Sequence, residues 1–167
     1  MKRALIVLAV AGIALAGLPL AAQTGTWTAV ASTGVVDESA AGIYAFGSTN
    51  LGYNAGGSVA PIVARYDVTN TYGGGLRDAP PWTRLELGYF DSSTLSQVRA
   101  DLFRVDRCTG TQVLLCTVTS VDATAPTCGV CGITAGFNFA NFLYYVQVTV
   151  SRTSANVSPQ AFTLRIF

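Results

Sequence analysis

The chain has 167 residues, half of them hydrophobic and 11% charged, with a formal net charge of +1 and no histidine. Lack of histidine removes the usual general base near neutral pH and the commonest metal ligand, so Ser-His-Asp and Cys-His machinery is excluded. The even charge balance provides no basic footprint for nucleic acid and no acidic run of the kind that marks a solvated tail.

Lys2 and Arg3 precede an apolar run from Ala4 to Leu18, and small residues follow up to Ala22. Roughly 15 apolar residues are too few for a membrane span and have the layout of an export signal. The expectation is that residues 1–22 are a signal peptide, cut after Ala22 or, on an A-x-A pattern, after Ala16. Residues 23–167 then form one domain in a secreted, periplasmic or cell-surface location, with no membrane span once the leader is gone.

Alternation with period two dominates residues 23–167, and no segment there keeps a helical apolar period over a helix length. Strands are expected at 27–32 and 43–46. Next, Ile62, Ala64, Tyr66 and Val68 alternate with Val63, Arg65 and Asp67, and Leu85, Leu87 and Tyr89 alternate with Arg84, Glu86 and Gly88. Two more strands are expected at 98–106 and 113–121. The clearest pattern sets Tyr144, Val146, Val148 and Val150 against Tyr145, Gln147, Thr149 and Ser151, before a last strand at 161–167. Turn-forming residues separate these runs at 56–58, 73–75, 80–81, 91–93, 109–110 and 156–159. The fold class expected is all-β, a single antiparallel β-sandwich, jelly-roll or Ig-like, of about eight strands. The glycine triplet at 73–75 lacks the Lys and the helix of a phosphate-binding loop.

Cys108, Cys116, Cys128 and Cys131 are an even set in a chain expected to be exported, which points to disulfides. A regular hairpin with Gly110 in the left-handed conformation would set Val105 opposite Val113, Phe103 opposite Leu115 and Cys116 opposite Leu102. Cys116 is then too far from Cys108 for a bridge. All four are therefore expected to be oxidised, with Cys108 and Cys116 each bridged to the loop that holds Cys128 and Cys131. A zinc site is disfavoured because Cys108 and Cys116 lack knuckle spacing, and a redox pair because no helix follows Cys131. No metal and no cofactor is expected.

Without histidine, catalysis would fall to paired carboxylates. The candidates are Asp37, Glu38, Asp67, Asp78, Glu86 and Asp91; Glu86 reads as a solvated strand residue and Asp91 as a turn residue, and no pair stands out. Among the aromatics, Tyr72, Trp82 and Tyr53 are the candidate ligand-binding residues, because flat rings stack on sugar faces at little conformational cost. Trp82, Phe137 and Phe139 have an alternative role in sealing the core. Counting back from Phe167 by twos puts Arg165 in what would be the lipid-facing stripe of an outer-membrane barrel, which argues against that class.

The function expected is thus an exported, non-catalytic β-sandwich acting as a surface, matrix or binding module, with a glycan or a surface protein as partner. A carbohydrate-binding module is the first alternative; a small outer-membrane barrel and a carboxylate-dependent secreted hydrolase are the others. Mass spectrometry of the exported protein should find a new N-terminus between Gly17 and Gln23; a membrane-bound chain that still begins at Met1 would overturn the leader.

Overall fold

The computed structural model describes residues 25–72 and 79–167. The expected leader, the glycine triplet and Asp78 lie outside the described residues. Among the described residues there are eleven strands: β1 (Trp27–Val30), β2 (Val35–Val36), β3 (Tyr44–Phe46), β4 (Leu51–Tyr53), β5 (Ile62–Asp67), β6 (Arg84–Phe90), β7 (Ser96–Asp106), β8 (Gln112–Thr119), β9 (Thr127–Gly132), β10 (Phe142–Arg152) and β11 (Gln160–Ile166). They form an antiparallel β-sandwich. One sheet has the order β3-β4-β11-β6-β9, with β1 also paired to β11, and the other has the order β2-β5-β10-β7-β8. Because the strands part into two facing sheets, the outer-membrane barrel is set aside. Among the described residues no helix is long and apolar enough to cross a membrane.

The period-two runs do what alternation requires, since successive side chains on a strand point to opposite faces. Ile62, Ala64 and Tyr66 of β5, Leu85, Leu87 and Tyr89 of β6, and Tyr144, Val146, Val148 and Val150 of β10 all enter one core. Burying each large aliphatic side chain contributes about 1.5–3 kcal/mol. On β11 a bulge at Phe162 shifts the register, so that Ala161 joins Leu164 and Ile166 in the core in place of Phe162.

The three strands beyond the expected eight have weak sequence signals. β2 is two residues long, β4 carries Gly52 at its centre, and β9 is the Cys-Gly-Val-Cys segment expected to be a loop. Gly129 explains the last case. A Cβ there would lie 2.8 Å from Val118 Cγ1 and 3.4 Å from the Tyr89 ring, so only glycine lets β9 close against β8. β8 and β9 are the edge strands of the two sheets on the same side. A disulfide between Cys116 and Cys131, with Cα atoms 6.0 Å apart, joins them.

Only that one bridge forms, which corrects the expectation of four oxidised cysteines: Cys108 and Cys128 are free and exposed. Cys131 points inward, and Cys128, three residues earlier on the same strand, therefore points outward. Cys108 sits at the tip of the β7–β8 hairpin, where Asp106 Oδ1 accepts from the Cys108 and Thr109 N–H groups. Those bonds, with the Thr109 hydroxyl, hold the Asp106 carboxyl below the usual range. Gly110 has the expected positive φ of 71°. Leu102 pairs with Cys116 as expected, but Phe103 pairs with Leu114 and Val105 with Gln112, so Leu115 is an extra residue bulged out of β8.

Two thiols per chain should therefore react with a thiol reagent in the native protein, and unreduced peptide maps should link Cys116 to Cys131. Replacing Cys131 with Ser should cost about 3 kcal/mol in chemical denaturation, by the loop-entropy relation for a 15-residue separation.

Candidate functional site

The outward set of the β2-β5-β10-β7-β8 sheet follows from its register. One rung runs Val35, Arg65, Gln147, Asp101 and Thr117 across all five strands. On one side of it lies the rung Asp67, Tyr145, Phe103 and Leu114, and on the other Val63, Thr149, Arg99 and Thr119. Aromatic, amide, guanidinium and carboxylate groups therefore share one flat surface, built on regular strands.

Two features order this surface. The Phe103 and Tyr145 rings stack with centroids 5.1 Å apart and planes 18° from parallel. The Tyr145 hydroxyl donates to Gln112 Oε1 at 2.8 Å, which pins its ring across the hairpin. Partial burial raises the Tyr145 pKa, with Arg65 lowering it and Asp101 raising it, so both charges are felt at the ring. Beside the rings, Asp101 is only 4% exposed although it faces outward. Its carboxylate accepts from Arg99 Nε at 2.9 Å and from the Thr117 hydroxyl at 2.6 Å. A buried charge persists only when paired and hydrogen-bonded in this way. At the β2–β5 edge the face runs into a cleft of about 540 Å³ that shares Val35, Arg65 and Asp67 with it and is also lined by Trp27 and Thr33.

A second trough, of about 560 Å³, lies over β1, β11 and β6 and includes Thr28, Glu86, Thr163 and Arg165. Its lining has no aromatic ring. Arg165 is opposite Glu86 in register, but its guanidinium lies over the Phe167 ring, 4.5 Å from the centroid.

The three aromatics singled out by sequence do not form a site. Trp82 is 5% exposed, donates Nε1–H to the Gly25 carbonyl at 2.9 Å, and packs edge-on against Phe137 and Phe139. Its role is the core seal, which removes it as a stacking platform. Tyr53 donates its hydroxyl to the Ala60 and Val150 carbonyls, and the Arg152 guanidinium covers its ring at 3.9 Å. It therefore stands at the Arg152 end of β10, while Trp82 is joined through Phe137 to Tyr144 at the other end. Tyr72 is half-buried against the core, and its N–H donates to Asn70 Oδ1.

The carboxylates are dispersed as well. Asp37 caps the short 3-10 helix Glu38–Ala40, and its bonds from the Ser39 hydroxyl and N–H, more than Arg65, lower its pKa. Asp91 is not a solvated turn residue: it is 1% exposed and accepts from the Ser96 and Ser120 hydroxyls. Among the described residues no three Cys, Asp or Glu are grouped to hold a metal ion. Sequence reasoning passed over Tyr145, Gln147, Asp101 and Phe103, although the alternation of β10 had already put Tyr145 and Gln147 on a wetter strand face.

Asp101→Ala should destabilise the protein by about 1–3 kcal/mol, because Arg99 and Thr117 lose their common acceptor. Asp101→Asn, which preserves the shape and an acceptor for Thr117, should cost less; urea denaturation of both variants checks the order.

No protein-family model and no curated protein matches this sequence. Solved structures do match it. A carbohydrate-binding module, CBM36 in complex with calcium and xylotriose, is 12% identical, with 84% of this chain and 99% of that chain covered and a TM-score of 0.46. The xylan-binding module CBM15 is 14% identical, with 85% and 95% covered and a TM-score of 0.47. The CBM22-1-GH10 modules of a Clostridium thermocellum xylanase are 11% identical, with 87% of this chain and 26% of that chain covered and a TM-score of 0.46. These likenesses concern the β-sandwich arrangement alone, and no residue role is carried over from them.

Proposed function

We propose that this chain is an exported, non-catalytic binding module and that the outer face of the β2-β5-β10-β7-β8 sheet binds a carbohydrate. The observation that carries the reading is the stacked Phe103 and Tyr145 pair on the rung next to the polar rung of Arg65, Gln147 and Asp101. A pyranose ring has an apolar C–H face bordered by hydroxyl groups. An aromatic ring covers the first, and amide and charged groups pair with the second. The Tyr145–Gln112 bond and the bonds on Asp101 hold that ring and that carboxylate in place, so little ordering cost falls on them in binding.

Support for a non-catalytic role comes from chemistry and spacing. The sequence has no histidine. Asp67 and Asp101 share the face, but they stand two strands and one rung apart. That is on the order of 12 Å between Cα atoms, and the Asp101 carboxylate is already engaged by Arg99 and Thr117. The Cys116–Cys131 bridge suits an oxidising compartment.

Trp27 and Trp82 are both buried, so calorimetry and affinity electrophoresis on a panel of soluble polysaccharides are better probes than tryptophan quenching. Tyr145→Ala and Gln147→Ala should each weaken binding at least about tenfold, roughly the loss of one stacking contact or of a hydrogen bond with its partner left unpaired. Glu86→Gln, in the opposite trough, should leave binding unchanged. Loss with Glu86→Gln and none with Tyr145→Ala would move the site to the other sheet; silence across the panel would leave a structural or matrix role.

A further inference from the structure

We propose that this face selects neutral over anionic glycans and that Asp67 is the residue that sets the selection; the inference rests on the carbohydrate-binding reading of the same site. Five charged side chains stand on or beside the face. Arg99 is paired with Asp101 at 2.9 Å, and Arg65 with Asp37 at 3.7 Å. That leaves Asp67. Among the described residues no hydrogen bond or ion pair engages its side chain, and it is exposed. The face thus has three carboxylates against two guanidinium groups, and its one uncommitted charge is negative.

Position gives that charge its meaning. Asp67 is the last residue of β5, directly opposite Tyr145 in register, and it also lines the 540 Å³ cleft. A sugar ring lying on Tyr145 would turn part of its rim towards this carboxylate. An ionised carboxylate only accepts, with about four lone-pair sites, and so suits neighbouring hydroxyl donors through charge-assisted bonds. A uronate carboxylate or a sulfate group at the same place provides no donor and adds like-charge repulsion. Arg99 bonds Asp101 through Nε alone and keeps its Nη donors, but its charge is already balanced by that 2.9 Å pair, so it adds no net positive charge to the face. Arg65 is the competing influence, because its pair with Asp37 is loose and half-exposed.

The experiment uses polysaccharides that share a backbone and differ in charge: hydroxyethyl cellulose with carboxymethyl cellulose, and neutral xylan with glucuronoxylan. Affinity electrophoresis at low ionic strength and again at about 0.5 M salt tests the electrostatic part, because screening shortens the Debye length below the about 10 Å found at 0.1 M. The neutral member of a pair should bind at least about tenfold more tightly at low salt, and salt should narrow the gap. Asp67→Asn, an exposed and nearly isosteric change checked for folding by circular dichroism, should bring the two members to within about threefold and weaken neutral binding several-fold. Equal or tighter binding of the anionic member, lost in Arg65→Gln, would leave the carbohydrate reading standing and overturn the selectivity. Undiminished discrimination in Asp67→Asn would overturn the role of Asp67. Binding of neither member of either pair would overturn the carbohydrate reading and this inference with it.

Discussion

The ladder between β7 and β10 is the constraint on which the rest of the molecule hangs. Eleven residues pair without interruption, from Phe142 opposite Asp106 to Arg152 opposite Ser96. Because side chains alternate, a slip of one residue would exchange every inward group for an outward one. The register that places Val146, Val148 and Val150 in the core also places Tyr145, Gln147 and Thr149 on the surface, opposite Phe103, Asp101 and Arg99. Core and candidate site are two sides of one pairing, and hydrophobic burial on the inner side fixes the geometry of the polar side.

The sandwich is closed at its margins by polar and covalent devices. On the β8–β9 side, the Cys116–Cys131 bridge spans the seam that Gly129 allows to narrow. At the other end of β6, Asp91 gathers the Ser96 and Ser120 hydroxyls of two segments in the other sheet. At the Arg152 end of β10, the buried guanidinium has no acidic partner among the described residues. It donates instead to the Ser58, Ala155 and Val157 carbonyls and covers the Tyr53 ring. Each of these groups would be costly to bury alone, and each is satisfied by backbone or hydroxyl partners that also tie a loop to the sheets.

The same economy decides what the outer face can do. Asp101, Arg99 and Thr117 neutralise one another, so the centre of the face is polar without an exposed excess of charge. The aromatic pair is anchored through Gln112 rather than left to rotate. On the proposed carbohydrate reading, such a surface would meet its ligand with little rearrangement of these groups.

Alternation alone determined the all-β character of this chain, its long strands and most of its core, because the period of a strand is a local property of the backbone. It also marked Tyr145, Gln147, Arg65 and Asp67 as outward residues. Tertiary structure alone decided which outward residues meet. Gln147 is set beside Asp101 by the β7–β10 pairing, across 46 positions of sequence, and Asp67 meets Tyr145 across 78. Burial of Trp82, withdrawal of Tyr53 beneath Arg152 and the choice of Cys131 over Cys128 for the bridge were likewise beyond sequence. Each depends on which face of one strand confronts another, and that follows from long-range register, which no local pattern contains.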